Sequence, residues 1–198
     1  ARLLELRGAS VDEVREALIE IQRDGQRAGQ VVARARELLG RREPRVAPID
    51  LPRLLEDTVD LAHSTTSALG ALVILRIERP VPPVEGDAAQ IQQVVLNLIA
   101  NAAEAMADSA TPREVLVRCR GEGSAAVVTV EDRGEGLPEG ALERLFEPFF
   151  TTKEHGLGLG LPLCKAIIER HGGKITADNA RPRGAIFRFS LPQAEKDA

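Results

Sequence analysis

"FFTTKEHGLGLGLPLC" (residues 149–164) sets Gly156, Gly158 and Gly160 between leucines and runs straight into an apolar stretch with helical spacing. Glycine inside a helix costs about 1 kcal/mol relative to alanine, so three in five residues need a reason. Their freedom lets a backbone approach a ligand closely and lets amide N–H groups converge. The helix start just beyond adds partial positive charge, and the combination suits a phosphate. The run is not a GxxxxGK[ST] loop. Nor is it the dinucleotide GxGxxG, because position 161 is Leu and no strand immediately precedes it. Alone, it fits a flexible loop equally well.

Two stretches further upstream bear on that choice. "NLIANAAE" spaces Asn97, Asn101 and Glu104 by 4 and 3, on one face of one helix, among Val94, Val95, Leu98, Ile99 and Ala102. Amides beside a buried face need partners. Their oxygens suit Mg²⁺, which keeps company with phosphates, and they suit capping or bridging of core backbone as well. "EDRGEG" (131–136) ends an apolar strand with Asp132, Gly134 and Gly136. A carboxylate there could accept from an exocyclic amine, and Asp with Gly also makes ordinary turns.

Around these lie the expected elements. Asp50 caps a short helix near 52–62, "ALVILRIE" (71–78) is a strand, and "RPVPPVEGD" (79–87) is a loop. Asp87 caps an apolar helix over 88–106. "REVLVRCRG" and "SAAVVTVEDRG" form a hairpin turning near Gly121 to Ser124. A short helix covers 139–145, a further helix 161–173 ends at Gly172 and Gly173, and "KITADN" and "AIFRFSL" close the chain as strands. Strands with helices on one side predict an α+β two-layer sandwich. Before it, Val11, Val14, Leu18, Ile21, Gly25, Ala28, Val32, Ala35 and Leu39 step by 3 and 4 as a heptad seam, with Ser10 and Glu13 as a capping box. A seam this narrow needs other helices to cover it. "RREPRVAPID" (41–50) is a linker, dividing the chain into 1–42, a helical segment, and 43–198, the compact domain.

Composition narrows the class. The 198 residues carry a net charge of −4 and no basic patch with interleaved aromatics, which disfavours a nucleic-acid partner. Cys119 and Cys164 are far apart with no CxxC spacing, and read as buried small hydrophobes in a reducing compartment. No apolar run approaches the roughly 18 residues of a membrane span. The chain opens with Ala1 and shows no signal-peptide pattern, so the expectation is a cytoplasmic fragment of something longer.

Taken in order, these stretches resemble the sensor histidine kinases of the GHKL ATP-binding superfamily. "DAAQIQQVVLNLIANAAEAM" (87–106) looks like the N box, "DRGEG" (132–136) the first G box, "FEPFFTTK" (146–153) the F box and "GLGLGL" (156–161) the second G box. "HGGKI" (171–175) and "GAIFRFSLP" (184–192) fit the family's ending. "EIQRDGQRAGQVVARARELL" is similar to the second helix of the dimerisation and phosphotransfer hairpin, and the short stretch between Lys153 and Gly156 to kinases of the nitrogen- and oxygen-sensing type. The resemblance implies a mixed sheet layered with helices, ATP and Mg²⁺ as cofactors, a homodimer through the complete hairpin, and a response-regulator receiver domain as partner. It implies that Asn101 holds Mg²⁺ with Asn97 beside it, and that Asp132 accepts from the adenine amine. Gly134 and Gly136 then let the backbone approach the base, and Lys153 offers charge to the terminal phosphate. Gly156, Leu157, Gly158, Leu159 and Gly160 line the phosphates, and Phe149 and Phe150 drop into apolar pockets.

Where related ATPases carry a Glu as base, this chain has Asn97, and an amide cannot take a proton from water. That favours transfer over hydrolysis, and Glu104, almost two turns on, is a poor substitute. The acceptor histidine is missing. His63 is followed by Ser, His155 lies in the lid and His171 ends a helix. The acceptor helix is therefore expected upstream of Ala1. Ala185 replaces a hydroxyl residue, costing one adenine-side contact. An ATP-binding module without self-phosphorylation, a superfamily ATPase and a serine kinase stay open as alternatives.

Overall fold

The computed structural model describes residues 45–107, 112–153 and 156–194, together with 12, 14–19, 21–22, 25 and 29. By contacts the chain divides into two compact units, Ala1–Gly40 and Arg41–Ala198. The described residues of the first unit are helical, with Leu18, Ile19 and Ile21 exposed. The remainder of the expected seam, its capping box and His155 lie outside the described residues.

The second unit is a sheet with helices on one face. Strands β1 (Ala47–Ile49), β2 (Leu72–Glu78), β3 (Val84–Gly86), β4 (Glu114–Glu122), β5 (Ala125–Glu131), β6 (Lys174–Asn179) and β7 (Ala185–Pro192) alternate with helices α1 (Leu51–Ala68), α2 (Ala88–Ala105) and α3 (Gly160–Arg170). Five strands form a mixed sheet in the order β2-β4-β5-β7-β6, with β2 and β4 parallel and the other pairs antiparallel. β1 and β3 pair antiparallel as a separate ribbon.

Period-2 patterning explains the two faces. Val117, Val130 and Phe187 align across β4, β5 and β7, as do Cys119, Val128 and Phe189, and all are buried. Ile91, Val94, Val95, Leu98 and Ile99 of α2 are buried with them. Full burial of a side chain such as Phe189 stabilises the fold by about 1.5–3 kcal/mol. The alternate positions include ion pairs: Arg118 with Glu131 at 3.0 Å, and Glu122 with both Arg120 and Arg188. Both cysteines are buried and neither is in a disulfide, and burial pushes Cys119 up to about 11.

Side-chain caps fix where α1 and α2 begin. Asp50 accepts from the Arg53 amide at 3.3 Å, and Asp87 Oδ1 accepts from the amides of Ala89 and Gln90. Asp87 Oδ2 also accepts from the Arg45 amide, which ties α2 to the chain entering β1. His171 joins two helices. Its Nε2 accepts from the Asp87 amide at 2.9 Å while Nδ1 faces the Ile167 carbonyl at 2.8 Å, so the proton sits on Nδ1. His171→Ala orphans a part-buried N–H and is expected to lower stability by about 1–3 kcal/mol, read from urea denaturation.

Four expectations change. The linker over 41–50 contains β1, which pairs with β3. α1 runs to Ala68, well past residue 62. The loop over 79–87 contains β3, a strand of only three residues. Residues 139–145 form hydrogen-bonded turns, with Gly140 at φ 77, which an α-helix does not accommodate.

Candidate functional site

Helix α2 is the spine of the site, and three separate segments meet it in order. Nearest its middle is the start of α3. Gly160 lies so close to Asn97 that a Cβ there would fall 2.7 Å from Asn97 Oδ1. Asn97 Nδ2 in turn donates to Cys164 Sγ at 3.2 Å. One turn on, Lys153 Nζ sits 3.5 Å from Asn101 Oδ1 and 2.5 Å from Glu104 Oε2. At the last turn, a Cβ on Gly134 would stand 2.8 Å from the Ala105 carbonyl. From position 97 to 105 is roughly 12 Å of helix.

The Asp132 end is closed by backbone. Asp132 is 3% exposed. Its Oδ1 accepts from the amides of Gly134 at 2.8 Å and Ala185 at 3.2 Å, while its own N–H donates to the Ala185 carbonyl. Ala185 thus meets Asp132 through its main chain. Among the described residues no donor reaches Oδ2. Burial pushes the carboxyl above the ordinary aspartate range, with the two amides pulling against it. The Gly136–Leu137 turn is braced by Asn179 at the end of β6, whose Oδ1 accepts from the Leu137 amide at 2.6 Å and whose Nδ2 donates to the Leu137 carbonyl. Arg183 Nε donates to the Gly134 carbonyl at 3.0 Å. Asn179 and Arg183 were not singled out from sequence. A lone amide at a strand end is the only hint the sequence carries.

The glycine run folds back on the segment before it. Gly158 has φ 63 and accepts at its carbonyl from the Phe149 amide at 2.9 Å; a Cβ there would lie 2.5 Å from the Phe149 carbonyl carbon. Leu157 is half-buried and Leu159 is buried, anchoring the turn that carries Gly156 and Gly160. Leu159 gives α3 no side-chain cap, which leaves first-turn amides free for an anion.

One expectation fails here. Phe149 occupies no apolar pocket: it is 72% exposed, at φ 68. Its backbone is committed to the Gly158 carbonyl, and that contact turns the ring outward. Phe150 is half-buried, with the Arg144 guanidinium 4.6 Å from its ring centre.

The donor set can be tested against Mg²⁺ and ATP. No group of three or more His, Cys, Asp or Glu residues able to hold a metal occurs among the described residues. Mg²⁺ does not need such a cage, since it is commonly held by one or two side-chain oxygens plus phosphates and water. Asn101 Oδ1 and Glu104 Oε2 already gather round a cation, the Lys153 ammonium. A free Asp132 oxygen at one end and uncapped amides at the other suit a base and a polyphosphate. The residues fit both groups. No helix among the described residues is long and apolar enough to cross a membrane.

Residues 86–195 match the family described as histidine kinase-, DNA gyrase B- and HSP90-like ATPases. The chain is similar to the sensor histidine kinase TmoS of Ectopseudomonas mendocina, at 37% identity over 92% of this chain and 19% of that protein. It is also similar to the sensor protein FixL of Bradyrhizobium diazoefficiens, at 34% identity over 93% of this chain and 37% of that protein. These relatives are much longer, and the chain spans well under half of either. Among solved structures, the nucleotide-free catalytic domain of histidine kinase ThkA matches with a TM-score of 0.67 at 31% identity, over 75% of this chain and 96% of that one. ThkA in complex with the response regulator protein TrrA matches with a TM-score of 0.80 at 25% identity, over 99% of this chain and 57% of that one.

Proposed function

Because this chain belongs to the histidine kinase-, DNA gyrase B- and HSP90-like ATPase family, we propose that it is the ATP-binding catalytic core of a two-component sensor kinase. It passes the γ-phosphoryl group to a histidine that this chain does not contain, and from there to an aspartate of a receiver domain. Asp132 Oδ2 accepts from the adenine amine, and Gly134 and Gly136 let the loop lie against the base. Asn97, the free amides of α3, the Gly156–Gly160 turn with Leu157 and Leu159, and Lys153 face the phosphates. Asn101 Oδ1 is the Mg²⁺ ligand. The ion, when bound, neutralises charge on the phosphates. The residues themselves supply position and fixed charge, which is most of what phosphoryl transfer requires.

The observation that carries this reading is Asn97 against the start of α3. An amide cannot accept a proton from water. The carboxylate on the same face, Glu104, lies almost two turns further along α2. An imported imidazole needs no such base. The name of TmoS and the ThkA–TrrA complex support a histidine acceptor and a receiver partner. On this reading residues 1–42 belong to the dimerising, phosphotransfer hairpin of a homodimer and 43–198 form the catalytic domain, working in the cytoplasm.

The test is to incubate the chain with γ-labelled ATP, Mg²⁺ and a polypeptide extended upstream through the preceding hairpin helix. Acid-labile label on a histidine is expected. Phosphate release without labelled protein would favour an ATPase, acid-stable label a serine kinase, and uptake with neither a pure binding module. Acidity gives a second check. A raised Asp132 carboxyl takes up its proton at a higher pH than an ordinary aspartate, and the protonated form loses its acceptor. ATP affinity, measured by calorimetry, should therefore begin to fall on acidification above the ordinary aspartate range.

A further inference from the structure

Lys153 and Glu104 are 49 residues apart in sequence, yet Nζ lies 2.5 Å from Oε2. The same ammonium is 3.5 Å from Asn101 Oδ1. A cation belonging to the protein thus stands at the amide oxygen assigned to Mg²⁺, held there by a carboxylate one turn further along α2. An ammonium and Mg²⁺ repel each other at one amide oxygen, so the lysine moves off as the metal seats. Both partners are solvent-accessible, at 40% and 51% exposure, so the pair is weak and its exchange costs little. Lysine suits such an exchange, being a compact charge on a flexible stem.

We propose that Glu104 competes with the nucleotide for Lys153. In the empty protein its carboxylate parks the ammonium across α2, and the terminal phosphate of ATP takes it over as Mg²⁺ arrives at Asn101. The inference rests on the reading that Lys153 serves the phosphates, and it adds a regulatory role for a residue that has none in that reading. Lys153 is then a placeholder for the metal as well as a phosphate ligand.

The experiment is a double-mutant cycle on the whole chain, titrated calorimetrically with Mg-ATP. Glu104→Gln should bind about two- to fivefold more tightly than the parent, the span available to an exposed ion pair. Lys153→Met should bind more weakly. Adding Glu104→Gln to Lys153→Met should bring much less gain than it does in the parent, and with AMP the Glu104 substitution should change nothing. Both side chains are exposed, and melting temperatures verify that each variant is folded. Weaker Mg-ATP binding by Glu104→Gln would overturn the proposal by making Glu104 a support for Lys153. Equal gain in both backgrounds would also overturn it, leaving only direct repulsion of the phosphates. No change in Glu104→Gln while the parent binds ATP would sink the competition alone. Absence of ATP uptake by the parent would sink the ATP reading itself.

Discussion

Asp132→Asn will fold like the parent and lose roughly ten- to a hundredfold in ATP affinity, the range set by about 1.5–3 kcal/mol for a hydrogen bond to a charged acceptor. The substitution acts on one atom. Two backbone donors, from Gly134 and Ala185, point at Oδ1, so the asparagine must turn its oxygen to them. Its NH₂ then takes the place of Oδ2 and presents a donor to the donor of the adenine amine. Guanine carries an acceptor at the corresponding position, so GTP should be hurt less and the ATP-to-GTP preference should shrink. Paired calorimetric titrations with the two nucleotides read both effects, and a thermal melt reports the fold. If ATP affinity and preference were both unchanged, the base would have to bind away from Asp132.

The second large effect is expected at Asn101. Loss of groups that merely orient a metal ligand typically costs 10–100-fold in metal affinity or activity, so Asn101→Ala should cost about tenfold or more in Mg-dependent ATP binding. Nucleotide binding without Mg²⁺ should change much less. Asn101 is half-buried on the open side of α2, while Leu98, Ala102 and Ala103 fill the core beneath it, so the fold should survive. Titrations with ATP in Mg²⁺ and in EDTA separate the two quantities. Equal losses in both would assign Asn101 to the phosphates and remove it from the metal.

What the sequence made legible follows from how strongly each element repeats a physical pattern. The β4–β5 hairpin announces itself through seven-residue alternation and the Gly123–Ser124 turn, with Gly123 at φ 58. The caps at Asp50 and Asp87 were legible because a carboxylate before an apolar helical run has few other uses. β1 and β3 were not, because three residues cannot display a period, and their pairing spans the whole of α1 and β2. Turns were mistaken for helix at 139–145 because apolar spacing around Ala141 and Leu145 mimics one. In the site, residue types singled out Asn97, Asn101, Asp132 and the glycines as one set. Neither the outward ring of Phe149 nor the Lys153–Glu104 contact was visible. The first depends on a backbone contact nine residues on, the second on a return across 49 residues, and no local pattern encodes either.

Helix α3 is fastened near both ends. At His171 it is pinned to the first residue of α2's cap, while its opening turn has no side-chain cap and abuts Asn97. Its 11 residues make a rod of about 16 Å. Its second turn is tied to the same neighbour, since Asn97 Nδ2 donates to Cys164 Sγ. A rod tied to one neighbour at two points keeps its uncapped amides at a fixed station beside Asn97.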